Sequence, residues 1–378
     1  MRNNYCSLKF KIIKESKKMR SKKILTFVFA IILCLGCFTG CSRKNDAADI
    51  HVFYYTYSDP YISTVRAALD RELDAAGISY QDHDGNNNQT TQTEQVQTAI
   101  TKGAKMIVVN IVTTGSDDAA TGIVNLAKNA GIPVIFFNRE VSDGIVQSYD
   151  KCAFIGTDAK EAGYLQGDMV GDYVVKNYNA VDLNGDGKIS YVLFMGEKGN
   201  NEAIYRTQYS VENANKKLEA AGKPKLVFYD SANKDGYLLD RDGKWSAQAA
   251  NEYMTTILAS YNSQNKNMVE LIICNNDGMA EGAISALSSA GYNTGSEGSV
   301  TVPVFGVDAT SAAVSLIGAN KMAGTIKQDA DGMAKAIMKT VDNGINSRGI
   351  LDGMTDYNID DNVSKVRISY SVYLGEEK

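Results

Sequence analysis

The chain has 378 residues, a formal net charge of −5, and 22% charged and 44% hydrophobic residues. That length exceeds one compact core and predicts about two domains of ordinary soluble composition. No basic stripe lies beyond Met1–Lys23, which excludes nucleic acid as a partner, and only His51 and His83 could serve as histidine acid–base groups.

The first segment is basic (Met1–Lys23) and the next almost wholly apolar (Ile24–Leu35). About a dozen apolar residues are too few to span a bilayer. The pattern is that of a secretory signal peptide over residues 1–40, with Met19 opening a signal of usual length and taken as the true start. The following GCFTGCSRKND resembles a bacterial lipobox, with Cys41 as the acylated residue and residues 41–49 as a tether. Phe38 stands where leucine is usual, and Cys37 is a second candidate. The alternative is an ordinary cleaved signal with a free cysteine. Acyl chains on Cys41 would hold the protein to a membrane without a spanning helix. Of the six cysteines, four (Cys6, Cys34, Cys37, Cys41) fall in this leader. Cys152 and Cys274 sit in apolar runs without framework spacing, and read as small buried hydrophobes.

From Ile50 onward, strand-like runs alternate with amphipathic segments. Strands are predicted at 50–57, 78–84, 105–112, 133–140, 152–158, 189–197, 224–230, 269–277, 302–308 and 323–329, with a last one near VRISYSVYL. Segments such as 64–77 and 121–131 lie between them and end in glycine, a common helix stop. Such alternation predicts α/β architecture with parallel sheets covered on both faces. The strands also end in polar residues: Asp59, Asn110, Asn138, Asp158, Asn276 with Asp277, Asp308, and Gln328 with Asp329. Parallel sheets bind ligands beyond the carboxyl ends of their strands, so the series marks a site.

VDLNGDGKIS (181–190) carries Asp182, Asn184, Asp186 and Gly187, the first half of an EF-hand loop. Alternating oxygen side chains curl around a hard cation and glycine permits the sharp turn. Lys188 would supply its backbone carbonyl, and Ser190 takes the ninth position. Leu193 stands where the closing glutamate belongs, leaving the loop one ligand short. The competing reading is plain turn chemistry.

Taken together, YSDPYISTVRAAL, KGAKMIVVNIV, PVIFFNRE, FIGTDAKEAGYLQGD, DLNGDGKISYVLFMGEKG, VELIICNNDGMAEGAISAL, VPVFGVDA and AGTIKQDA resemble the galactose/glucose-binding proteins of the periplasmic-binding family. The resemblance covers nearly everything from Ile50 on. It implies the type I periplasmic-binding-protein fold: two doubly wound α/β lobes joined by a hinge of three crossing segments, with sugar in the interlobe cleft. The lobes would comprise 48–136 with 329–361, and 137–328 with 362–378. The crossings would fall near Phe136–Asn138, Lys327–Asp329 and Asp360–Val363.

By the same resemblance, Glu270 completes the cation loop and calcium is structural. Asp59, Asn110, Arg206, Asn276 and Asp308 match polar sugar ligands, and Tyr61 and Trp245 match aromatics that sandwich the pyranose ring. The chain departs from the family at Asn200, Glu202, Gln328, Tyr61 and Ser190, and in an insertion of about ten residues over 233–244; these changes leave the exact sugar open. Asn200, Glu202 and Gln328 are still expected to face it. The implied protein is a non-enzymatic, monomeric, lipid-anchored extracytoplasmic component that captures a glucose- or galactose-like monosaccharide for the permease of an ABC transporter. Two alternatives share these residues: a ligand-presenting protein for a sensory receptor, and a surface sugar hydrolase. The export leader argues against a DNA-binding regulator of the same fold.

Overall fold

The computed structural model describes residues 48–375. The leader, Met19, Cys37, Cys41 and most of the tether lie outside the described residues.

Chain order begins with β1 (Ile50–Tyr54), α1 (Pro60–Ala75), β2 (Tyr80–Asp84), α2 (Gln89–Thr101), β3 (Met106–Val109), α3 (Asp118–Ala130), β4 (Val134–Phe137), α4 (Asp143–Gln147) and β5 (Cys152–Gly156). It continues through α5 (Ala159–Lys176), α6 (Tyr178–Val181), β6 (Ser190–Met195), α7 (Asn201–Ala220), β7 (Val227–Phe228), β8 (Leu238–Leu239), α8 (Ala247–Ser260), β9 (Leu271–Cys274), α9 (Asp277–Ser289), β10 (Val304–Asp308), α10 (Ser311–Gly318) and β11 (Gly324–Gln328). It closes with α11 (Ala330–Ile345), β12 (Asn358–Ile359), β13 (Lys365–Arg367) and β14 (Tyr370–Tyr373).

These strands form two sheets. One runs β12-β13-β5-β4-β3-β1-β2, and the other β14-β11-β10-β9-β6-β7 with β8 also against β6. Pairing is parallel except at β12–β13 and β11–β14. Strands β1, β3, β4, β5 and β9 are buried at every residue, as sheets with helices on both faces require. In the second lobe, α5 and α7 pack closely because Gly163, Gly167 and Gly171 present no side chain. A Cβ at Gly167 would lie 2.6 Å from Cβ of Asn213. Cys152 and Cys274 are buried free thiols, one in each sheet, and burial pushes Cys152 up to about 12.

The lobe boundaries differ from expectation in two places. Strand β5 joins the first sheet between β4 and β13, so the first crossing follows Gly156 instead of lying at Phe136–Asn138. The run VRISYSVYL is not one strand. Arg367 ends β13 in the first sheet and Tyr370 begins β14 in the second, so the third crossing is Ile368–Ser369 and not Asp360–Val363. The middle crossing falls after Gln328, within the expected segment.

All three crossings meet at one knot of side chains. Thr157 Oγ1 and Tyr370 Oη share a 2.8 Å hydrogen bond. Arg206 Nη2 donates to Tyr370 Oη at 2.9 Å and to Gln328 Oε1 at 3.4 Å. Arg367 donates to the Thr157 carbonyl at 2.8 Å and pairs with Glu140 and Asp360.

Candidate functional site

Between the lobes lies a cavity of about 40 Å³. The first lobe lines it with Tyr55, Asp59, Tyr61, Ile62, Asn138 and Arg139. From the second lobe come Asn200, Glu202, Arg206, Trp245, Asn276, Asp308 and Gln328.

Each side chain arrives there for a local reason. Asp59 is the N-cap of α1: Oδ1 accepts from Ile62 N at 2.9 Å, and Oδ2 accepts from Tyr55 Oη at 2.6 Å. Asn200 caps α7 through Ala203 N at 3.2 Å, and Asn276 caps α9 through Met279 N at 2.9 Å. A strand-end amide or carboxylate can therefore be helix cap and cavity wall at once. Glu202 and Arg206 project from the first turns of the same helix, α7. Three lining residues hold left-handed backbone: Asn138 (φ 59°), Trp245 (φ 55°) and Asp308 (φ 124°). Strain of this kind costs of order 1–3 kcal/mol per residue and persists where surrounding contacts fix it.

The electrostatics are those of a buried polar chamber. Both oxygens of Glu202 and Arg206 Nε, Arg139 Nε and Gln328 Nε2 are buried without a hydrogen-bond partner among the described residues. Burial pushes Glu202 up to about 7, partly offset by Arg206. Burial likewise raises Asp308 well above the carboxylate range, against the pull of Arg206 and with the help of Asp277 and Asp59. Burial opposes the charge on Arg206, but Tyr370, Asp308 and Glu202 around it raise its pKa further. Unpaired buried polar atoms cost about 1–3 kcal/mol each, so the chamber is built for a ligand that supplies both donors and acceptors.

Nine of the ten residues expected to face a ligand line the cavity: Asp59, Tyr61, Asn200, Glu202, Arg206, Trp245, Asn276, Asp308 and Gln328. Asn110 does not. It is fully buried behind the wall, accepting from Tyr55 N at 3.3 Å and donating to Phe137 O and Asn138 Oδ1 at 3.1 Å each. Its neighbour across the sheet, Asn138, takes the lining position. Asn138 belongs to the same polar strand-end series, which was the available signal. Tyr55, Ile62 and Arg139 carried none.

Arg139 also bridges the lobes. Its Nη2 donates to Val112 O at 2.7 Å and to Glu197 Oε2 and Oε1 at 2.7 and 2.9 Å, with its guanidinium 4.3 Å from the Tyr55 ring centre. Glu197, just after β6, further accepts from Trp245 Nε1 at 3.2 Å and Asn200 Nδ2 at 3.3 Å. The structure is thus a closed form.

The cation loop is a separate feature of the second lobe. Asp182 accepts from the backbone N–H groups of Gly185, Asp186 and Gly187, as a curled acidic loop requires. Glu270 enters from before β9, accepting from Asn184 N and Ser190 N at 2.8 Å each. Asn184 and Ser190, also in the expected ligand set, bond to the segment before β9. The Asn184 amide pairs with both backbone groups of Met268, and Ser190 Oγ donates to Met268 O. Asp182, Asn184, Asp186, Ser190, Glu270 and the Lys188 carbonyl offer an oxygen-only set suited to a hard cation. Among the described residues, no preformed cluster of three acidic, cysteine or histidine ligands exists.

Two hinged lobes closed over a polar chamber define a ligand-enclosing binding protein. Residues 50–348 match the family described as periplasmic binding protein domain, and the chain belongs to it. It is similar to the D-galactose/methyl-galactoside binding periplasmic protein MglB of Haemophilus influenzae, at 34% identity over 91% of this chain and 94% of that one. The ribose import binding protein RbsB of Escherichia coli is 24% identical over 86% of this chain and 93% of its own. Among solved structures, an ABC transporter solute binding protein from Bacillus halodurans with bound myo-inositol superposes with TM-score 0.65. It is 24% identical and covers 88% of this chain and 96% of its own. One from Clostridium phytofermentans with bound β-D-glucose also gives 0.65, at 21% identity over 86% and 93%. These neighbours share the type I periplasmic-binding-protein fold. No helix among the described residues is long and apolar enough to cross a membrane.

Proposed function

We propose that the protein captures a glucose- or galactose-like monosaccharide outside the cytoplasmic membrane and delivers it to an ABC importer, as a binder and not a catalyst. The observation that carries this reading is the lining itself. Carboxylates, amides and two guanidinium groups face an interlobe chamber whose walls include Tyr61 from one lobe and Trp245 from the other. Sugar hydroxyls both donate and accept, so they satisfy such a set in full. The C–H faces of a pyranose are apolar and pack on aromatic rings. The similarity to a D-galactose/methyl-galactoside binding protein of Haemophilus supports a hexose. The unpaired oxygens of Glu202 would receive sugar hydroxyls, and the Arg206 and Gln328 nitrogens would donate to ring or hydroxyl oxygens. Micromolar affinity, about −8 kcal/mol, is expected.

Two further elements belong to the proposal. Asp182, Asn184, Asp186, Ser190, Glu270 and the Lys188 carbonyl would hold a calcium ion that ties the loop before β6 to the start of β9. Cys41 would carry the lipid anchor. The deciding experiment is a thermal-shift screen against a monosaccharide panel in the presence of calcium. A ligand that binds only the folded state raises its melting temperature by mass action. A clear shift with glucose or galactose that disappears in Asp308→Ala supports the reading. No shift with any hexose or pentose overturns the substrate assignment.

A further inference from the structure

We infer that Asp240, inside the insertion over 233–244, is the positioning residue that sets Trp245 in the cavity wall. The insertion is built into the fold. Its Leu238–Leu239 strand pairs with Phe194 and Met195, immediately before Gly196 and Glu197. Asp240 follows, 4% exposed, its backbone N–H bonded to Met195 O at 2.9 Å and its carbonyl accepting from Gly243 N at 3.0 Å. Its side chain then reaches across the loop. Oδ2 accepts from Ser246 N at 2.9 Å and Ser246 Oγ at 3.0 Å, while Oδ1 accepts from Asp242 N at 3.0 Å.

Ser246 is the residue after Trp245 and the N-cap of α8. Trp245 holds φ 55°, a left-handed conformation uncommon for so bulky a side chain. Something must hold it there, and the carboxylate of Asp240 grips the peptide on its far side. The Trp245 carbonyl accepts from Asn276 Nδ2 at 3.3 Å, and its indole N–H reaches Glu197. Gly196 leaves room for the ring: a Cβ there would fall within the indole. Asn276, Glu197 and Gly196 thus fix the two ends of Trp245, and Asp240 fixes the backbone turn that aims it. The insertion acts as a brace that pre-forms the aromatic wall, which lowers the ordering cost of binding.

Trp245 is the sole tryptophan, so intrinsic fluorescence reports this residue alone. The test compares wild type with Asp240→Ala, Asp240→Asn and a control in the same loop, Asp242→Ala. In the absence of sugar, Asp240→Ala is expected to shift emission to longer wavelength and to increase acrylamide quenching about twofold or more, as a shielded indole gains solvent. Asp240→Asn, which keeps one acceptor oxygen, is expected to fall between, and serves as the variant of record if Asp240→Ala does not fold. Asp242→Ala is expected to match wild type. Emission and quenching unchanged in both Asp240 variants, or changed equally in Asp242→Ala, would overturn the inference. The affinity arm rests on the sugar-binding reading: Asp240→Ala should weaken the sugar that binds wild type by about tenfold. If wild type binds no sugar, the functional reading fails while the fluorescence arm still decides the role of Asp240.

Discussion

The contact between Arg139 and Glu197 offers a direct test of how closure contributes to affinity. It joins a residue after β4 of the first lobe to one after β6 of the second, with side chains 5% and 17% exposed, so it is an interaction of the closed form. Glu197 does not line the cavity, which separates its effect from loss of a ligand contact. The perturbation of choice is Glu197→Gln. It keeps the shape and an acceptor for Trp245 Nε1, but it removes the charge from two hydrogen bonds of 2.7 and 2.9 Å. Hydrogen bonds to charged groups contribute about 1.5–3 kcal/mol. The larger penalty for orphaning a buried charge does not apply in full, because Arg139 retains Val112 O and the Tyr55 ring and meets water when the lobes part. The loss of the Arg139 pair therefore falls on the closed state, while the bonds from Trp245 and Asn200 keep an acceptor in both states. At about 1.4 kcal/mol per decade, affinity should drop by roughly tenfold to a hundredfold. Titration calorimetry with the best sugar of the panel measures it, alongside melting of the ligand-free protein. Affinity within twofold of wild type would refute the reasoning. So would an equal loss of melting temperature with and without sugar, which would make the pair an ordinary stabiliser.

Other outcomes follow from buried carboxylates elsewhere. Burial and the neighbouring Asp70 push Asp82 up to about 7 from an ordinary value of 3.8. The folded chain then keeps a proton that the unfolded chain has released, so stability falls as pH rises across that window and is level above it. Asp82→Asn should remove this slope, gaining about 1 kcal/mol at pH 8 over pH 4 after allowance for solvent screening. Thermal melts across pH decide it, and a difference between variant and wild type that does not vary with pH would sink it. At the cation loop, a chelator should lower the melting temperature of wild type and leave Glu270→Ala unmoved. An equal drop in both would rule out calcium at this loop.

Much of the fold could be read from hydrophobic runs and the glycines that stop helices, because both report local geometry. Which sheet a strand joins is not local. Cys152–Gly156 reads identically as the last strand of one lobe or the first of the next, and only its pairing with Val134–Phe137 and Lys365–Arg367 decides. The division within VRISYSVYL was hidden for the same reason: an unbroken β pattern says nothing of a change of partner at Ile368. At the site, Asn110 and Asn138 both end strands and both suit a polar ligand. The left-handed backbone of Asn138 distinguishes them, and asparagine adopts that conformation without a sequence mark. Arg139 and Glu197 each look like ordinary surface charges until the lobes meet.

The knot that ties Thr157, Gln328 and Tyr370 to Arg206 has a mechanical consequence. Arg206 holds Tyr370 and Gln328 together within the second lobe, and the single bond from Tyr370 to Thr157 ties that group to the end of the first sheet. The three crossings therefore share one pivot point. Arg206 belongs to that pivot and to the cavity wall at once, so whatever grips its guanidinium also loads the axle on which the lobes turn.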